Sequence, residues 1–274
     1  MTNELYLSAV YIYPVKGLGG VAASVATVEE RGLQHDRRWM LVDSHNRFLS
    51  QRVLPQMALL QAAVTDELLQ ITHKQTGQHI TVPQMPQTAD LLQVQVWDDT
   101  CDAVAVSPEA DAFFSDYLDT HCRLVYMPDS SVRPVDERYA VADNYTSFSD
   151  AYPFLLIGQA SLDDLNGRLE EALPMNRFRP NLVVSGADPY AEESWREIRI
   201  GECRFYGVKP CARCVVTTTN QDTAQVGKEP LRTLATYHKT GKQILFGQNM
   251  VFGREGVQVK IGDQVSVLSF NDRV

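Results

Sequence analysis

The 274-residue chain has a formal net charge of −9, with 44% hydrophobic and 22% charged residues, the balance of an ordinary globular protein. An acidic chain disfavours nucleic-acid polymer and anionic membrane surfaces as partners, although a few arginines can still build one local anion site. Neither a signal-peptide pattern at residues 1–17 nor an apolar run of bilayer length is found, so a cytoplasmic location without membrane contact is expected.

The first hundred residues read as short strands: Tyr6 to Ile12, Val21 to Val28, Trp39 to Asp43, Leu68 to His73, and the alternating Gln93 to Trp97. Glycines at 17, 19 and 20, the stretch Asp43 to Asn46, and Thr76-Gly77 mark turns between them. Such spacing, with little helix, points to a β-barrel or sandwich. A helix is predicted after Ser107 as N-cap, with Pro108 at its first position. Residues 128–144 read as a long loop, of the kind that often carries function. A second helix is predicted over Ser161 to Leu173, capped by Ser161. Strands return at Leu182 to Ser185, Glu197 to Ile200, Arg204 to Val208 and Cys214 to Thr219, and a short helix fits Leu231 to Tyr237. Val257 to Ile261 and Gln264 to Ser269 flank Gly262-Asp263, a hairpin turn signal.

Five cysteines, an odd number in a chain of this size, argue against a disulfide framework. Pro210-Cys211-Ala212-Arg213-Cys214 is the sharpest local feature. A thioredoxin-like pair needs a helix after the first cysteine, whereas Val215 to Thr219 is β-branched. A zinc site needs four ligands, for which Cys203 and His238 are the available partners. Two buried structural thiols are the plain reading. The remaining option is one thiolate on a soft metal carried by an organic cofactor, with the neighbouring Arg213 expected to favour the thiolate.

Lys16 sits in Tyr13-Pro14-Val15-Lys16-Gly17, Arg37 in His35-Asp36-Arg37-Arg38-Trp39, and Arg179 in Phe178-Arg179-Pro180-Asn181. Taken singly, each is a surface or salt-bridged cation. Taken together, they form a set able to bind one phosphate, to which arginine is suited. Gln248 and Asn249, in Phe246-Gly247-Gln248-Asn249, are amides able to read a heterocycle edge, or simply a polar turn.

In this order, these segments resemble the MOSC (molybdenum cofactor sulfurase C-terminal) family, and within it the amidoxime-reducing proteins. The likeness runs through YPVKG at 13–17, HDRRWMLVD at 35–43, FLSQR at 48–52, SFSDAYPFLLIGQASLDDLN at 147–166, RFRPNLVVSGA at 177–187, the 210–219 motif, KEPLRTLATYH at 228–238 and LFGQN at 245–249. The resemblance implies a mainly β fold with some helix (α+β): a small N-terminal β-rich domain over 1–120 and a MOSC-type β-barrel domain over 121–274. It implies a molybdenum cofactor (molybdopterin) with Cys214 as metal ligand and catalytic centre. Lys16, Arg37 and Arg179 are then phosphate and pterin contacts, and Arg213 and Asn249 line the cofactor.

The activity implied is molybdenum-dependent reduction of small N-hydroxylated substrates: hydroxylamines, amidoximes and N-hydroxylated nucleobases. A sulfur or cofactor carrier is the alternative. Gly17 stands where relatives often have serine, and Asn220-Gln221 where they often have an acid or Ser-Pro. With neither a dinucleotide fingerprint nor a cysteine cluster for an iron–sulfur centre, a separate electron donor is expected: ferredoxin-like, flavin-reductase or cytochrome-type.

Overall fold

A computed structural model describes residues 4–65, 67–86 and 88–271. Strands dominate it, with three α-helices among the described residues: Pro108–Leu118 (α1), Gln159–Asn166 (α2) and Leu231–Tyr237 (α3). The larger β unit is a nine-stranded sheet. Its order is Val265–Phe270, Trp195–Ile200, Cys203–Ala212, Gln243–Phe252, Phe154–Gly158, Leu182–Ser185, Tyr6–Ile12 and Val21–Ala23, with Lys239–Thr240 paired to Gln243–Phe252. All of its pairings are antiparallel except Phe154–Gly158 with Leu182–Ser185, which the α2 connection joins in parallel. A small sheet, Gln258–Lys260, Val25–Glu29 and Gly32–Leu33, packs Ala26, Val28, Leu33 and Val259 into the same core.

The second β unit combines a four-stranded sheet (Trp39–Asp43, Cys122–Tyr126, Asp99–Ala105, Leu91–Val96) with a three-stranded one (Leu60–Val64, Leu68–His73, His79–Pro83). Its α1 begins as the sequence predicts, with the Ser107 hydroxyl accepting from the Ala110 amide at 3.2 Å. The helix buries Ala110, Phe114 and Leu118 against Leu41, Leu60 and Leu124.

Four expectations need correction. Val21 to Val28 is two strands broken at Ser24. The second helix runs from Gln159 to Asn166, not from Ser161 to Leu173, and Ser161 does not cap it; the serine is fully buried and donates to the Glu192 carboxylate at 2.8 Å. Cys214 to Thr219 is not a strand but a 3-10 turn over Val215–Thr218. The strands flanking Gly262-Asp263 do not pair with each other: one joins Val25–Glu29 and the other Trp195–Ile200.

Three segments cross between the two β units, side by side. Residues 13–17 leave the nine-stranded sheet, residues 34–38 leave the small sheet, and residues 147–153 return. The Arg37 amide donates to the Tyr13 carbonyl (2.8 Å), Lys16 N–H to the Trp39 carbonyl (2.8 Å), and Phe148 N–H to the Arg37 carbonyl (3.0 Å). Buried Arg133 fixes the third crossing by donating to the carbonyls of Ser147 (2.9 Å), Ser149 (2.5 Å) and Asp150 (3.1 Å). No described helix is long and apolar enough to cross a membrane.

A buried amide pair adds a further tie. Gln51 donates to the Gly17 carbonyl at 2.7 Å, and Gln221 donates to the Gln51 amide oxygen at 2.9 Å. Gln221→Ala strands the Gln51 amide oxygen away from water. We expect it to lower the unfolding free energy by about 1–3 kcal/mol, read as a lower urea midpoint. An unchanged midpoint would show that the pair contributes nothing.

Candidate functional site

The crossings floor a pocket between the β units, and all six residues singled out in the sequence line it: Lys16, Arg37, Arg179, Arg213, Cys214 and Asn249. Arg52, Arg177, Asp150 and Asn181 join them. Six cationic residues and one acidic residue thus line this pocket, in a chain whose net charge is −9. Local charge, not the global sign, sets what this pocket attracts.

Lys16 is buried and donates to the Phe148 carbonyl at 2.7 Å and to Asp150 Oδ1 at 2.6 Å. Burial lowers its pKa to about 8, against the opposing pull of Asp150. Burial acts to raise Asp150, but the Lys16 ammonium outweighs it and holds the carboxyl below its usual range. The Trp97 indole N–H donates to the same oxygen at 3.2 Å. Gly17 follows with φ 84, and a Cβ there would stand 2.7 Å from the Met57 methyl. Glycine therefore suits this turn better than serine would.

Arg37 and Arg179 stack on one aromatic ring. Their guanidinium carbons lie 4.3 Å and 4.4 Å from the centroid of buried Tyr13. Both have left-handed backbones, φ 49 and φ 56, uncommon for arginine. Arg37 pairs with buried Asp36 at 2.6 Å. Among the described residues the Arg179 guanidinium has no hydrogen-bond partner, and burial with Arg37 nearby lowers its pKa to about 10. Such a group is stabilised by an arriving anion.

Cys214 stands half-buried at the start of the 3-10 turn, which closes when the Thr217 hydroxyl donates back to the Cys214 carbonyl at 2.9 Å. Its sulfur accepts from Arg52 Nη2 at 3.1 Å. This corrects the expectation for Arg213, which donates to Cys211 Sγ at 3.0 Å and to the Phe178 carbonyl at 2.6 Å. Arg213 Nε is buried without a partner in the described structure. Asn249 faces the pocket while Gln248, its neighbour on the strand, is fully buried and does not line it. Cys203 donates to the Gln258 carbonyl and His238 contacts Glu193 at 2.9 Å. Among the described residues no three His, Cys, Asp or Glu side chains converge as metal ligands, so the four-ligand zinc arrangement is not built.

Arg52, Asp150 and Trp97 were not singled out as site residues. Arg52 lies in FLSQR and Asp150 in SFSDAYPF, so both segments were in view. Only the fold shows which of their side chains turn inward. Arg177 has a different part: its guanidinium donates to the carbonyls of Thr217 and Glu229, clipping the 3-10 turn from behind.

The chain matches the MOSC N-terminal beta barrel domain over residues 4–121 and the MOSC domain over residues 143–266. It is 32% identical to mitochondrial amidoxime-reducing component 1 of Mus musculus, across 96% of this chain and 82% of that protein. The Homo sapiens protein of the same name is 31% identical with the same coverage. Molybdenum cofactor sulfurase of Oryza sativa subsp. japonica is 31% identical across 89% of this chain, but the match spans only 32% of that longer protein.

The lowered pKa of Lys16 has a measurable consequence. Between about pH 8 and 10.5 the folded chain binds fewer protons at this position than the unfolded chain. Stability contributed here therefore rises with pH across that window. Unfolding free energies at pH 8 and pH 10 are expected to rise in wild type relative to Lys16→Met, and a parallel response in both proteins would refute the assignment.

Proposed function

We propose that this chain, which belongs to the MOSC family through both its MOSC N-terminal and MOSC domains, is a molybdenum-cofactor-dependent reductase of N-hydroxylated compounds. Hydroxylamines, amidoximes and N-hydroxylated nucleobases form the substrate class. The observation that carries this reading is one pocket holding both a soft thiol donor and an anion-seeking cationic cluster. The residues fit the cofactor: the unpartnered Arg179 guanidinium and the buried, unpartnered Arg213 Nε leave donors for a phosphate and a heterocycle, and a thiolate suits a soft metal.

Cys214 is assigned as metal ligand and catalytic centre. Lys16, Arg37 and Arg179 hold the phosphate end, and Arg213 and Asn249 line the ring system. When bound, the molybdenum supplies the two electrons that split an N–O bond, with two protons carrying the oxygen off as water. Arg52 orients the Cys214 sulfur through their 3.1 Å contact. Asp150, ionised at neutral pH, anchors Lys16 and Trp97 and is not the proton donor. All five cysteines are free thiols, which suits a reducing cytoplasm. A separate ferredoxin-like, flavin-reductase or cytochrome-type protein supplies the electrons.

The likeness to the rice sulfurase favours a second reading, a sulfur or cofactor carrier. Protein from a cofactor-competent host separates the two: stoichiometric molybdenum with pterin supports the reductase, and persulfide on Cys214 without molybdenum supports the carrier.

Cys214→Ser is expected to abolish amidoxime reduction, while Cys211→Ser keeps substantial activity. Equal loss in both would indicate a two-thiol site. Arg179→Ala should lower bound molybdenum through loss of contacts worth about 1.5–3 kcal/mol, with turnover per bound molybdenum closer to wild type. Fully loaded but inactive protein would contradict that role.

The electron source gives a further check. Reduced viologen, or ferredoxin with its reductase, should drive turnover, and NADH or NADPH alone should not. Brisk NADH-dependent turnover by partner-free protein would overturn the need for a donor.

A further inference from the structure

The hairpin that joins Leu91–Val96 to Asp99–Ala105 turns through Trp97 and Asp98, with Val96 facing Asp99. Trp97, the first turn residue, has φ 57, a conformation that such loops usually give to glycine, asparagine or aspartate. In a bulky aromatic residue it is strained, and the surroundings must offset the cost. Apolar packing does not explain the choice. Trp97 is 40% exposed and belongs to none of the hydrophobic cores among the described residues.

Its contacts lead into the cationic pocket instead. The Gln95 side-chain amide donates to the Trp97 carbonyl at 2.9 Å and fixes the turn. The indole N–H donates to Asp150 Oδ1 at 3.2 Å, the oxygen that also accepts from Lys16. Phe48 packs against the ring at 4.8 Å between centroids. On the indole held in this way lies Arg52, its guanidinium carbon 4.2 Å from the ring centroid. Among the described residues Arg52 has no salt bridge, and its side chain makes one hydrogen bond, to Cys214 Sγ at 3.1 Å. A long side chain without a carboxylate partner keeps its rotamer freedom unless something else restrains it. Here the restraint is the indole face.

We propose that Trp97 is a positioning residue: it holds the Arg52 guanidinium against the Cys214 sulfur, and so keeps a positively charged donor on the atom assigned as metal ligand. The catalytic consequence rests on the reductase reading above; the arrangement of the three side chains does not.

The anionic reagent iodoacetate and its neutral counterpart iodoacetamide read the charge beside the sulfur. Both alkylate the same thiolate, so the ratio of their rates does not depend on how much thiolate is present and reports the local field. In the full-length, cofactor-free chain carrying Cys211→Ser, Cys214 is the one cysteine that is not buried, and mass spectrometry locates the label. Arg52→Met is expected to lower the iodoacetate-to-iodoacetamide ratio about threefold, and Trp97→Ala by about as much. Adding Trp97→Ala to Arg52→Met should change nothing further, since the indole acts through the guanidinium. Trp97→Phe, which keeps a ring face, should retain most of the ratio. In molybdenum-loaded protein driven by reduced viologen, Trp97→Ala should lower kcat for benzamidoxime, with bound molybdenum and KM within about twofold of wild type. A ratio unchanged by Trp97→Ala, or lowered equally with and without Arg52, overturns the positioning role, as does a loss confined to KM. A loss in Trp97→Phe as great as in Trp97→Ala shows that the ring face is not the restraint and overturns it too. Loaded wild type that reduces no N-hydroxylated substrate overturns the reductase reading, and the alkylation ratios then decide the arrangement alone.

Discussion

Backbone hydrogen bonds between crossing segments hold the two β units together and fix where the pocket stands. Two β units, each with its own core, are stitched where residues 13–17, 34–38 and 147–153 pass between them. A segment between cores still has amides and carbonyls to satisfy. Here they satisfy one another, Arg37 with Tyr13 and Phe148 with Arg37, and Arg133 takes up three carbonyls that the ladder leaves over. The side chains of these segments are thereby aimed at a fixed place. Lys16 and Arg37 lie on adjacent crossing segments, and Asp150 comes from the third.

The resulting pocket is electrostatically unbalanced. Arg37 and Arg179 share the Tyr13 ring, and each adopts a backbone conformation that costs on the order of 1–3 kcal/mol. One aromatic face and the buried Asp36 carboxylate offset part of the repulsion. The remainder is tolerated by a fold that is well tied elsewhere. The crowding of these two cations favours an anion beside them.

Much of this was legible in the sequence. Tyr6–Ile12, Leu182–Ser185, α1 and α3 lie where propensity and turn residues put them, because in these segments local preference and tertiary packing agree. The six pocket residues were picked out by segment, and their convergence needed the fold. Where the reading failed, a specific interaction prevailed. The Val-Val-Thr-Thr-Thr run has strand propensity, but the Thr217 and Thr218 hydroxyls donate to the carbonyls three residues back and close a 3-10 turn instead. Ser161 looks like a cap, yet it serves a buried glutamate thirty-one residues away. The Gly262-Asp263 turn is real, but its amide and carbonyl bond to Leu7 and its flanking strands diverge. The partner of Cys214 could not be read from adjacency, since Arg52 reaches it from the other β unit.

The order in which the pocket's parts are synthesised follows from the topology. Lys16 and Arg37 are made early, Asp150 and Arg179 midway, and Cys214 and Asn249 late. Asn249 sits on Gln243–Phe252, the strand that lies between Phe154–Gly158 and Cys203–Ala212 and so joins the halves of the nine-stranded sheet. A nascent chain on the ribosome lacks that strand, and with it the wall behind Asn249. Any ligand that needs Asn249 beside Lys16 and Arg37 therefore meets its complete site only after the last third of the chain has been made and folded.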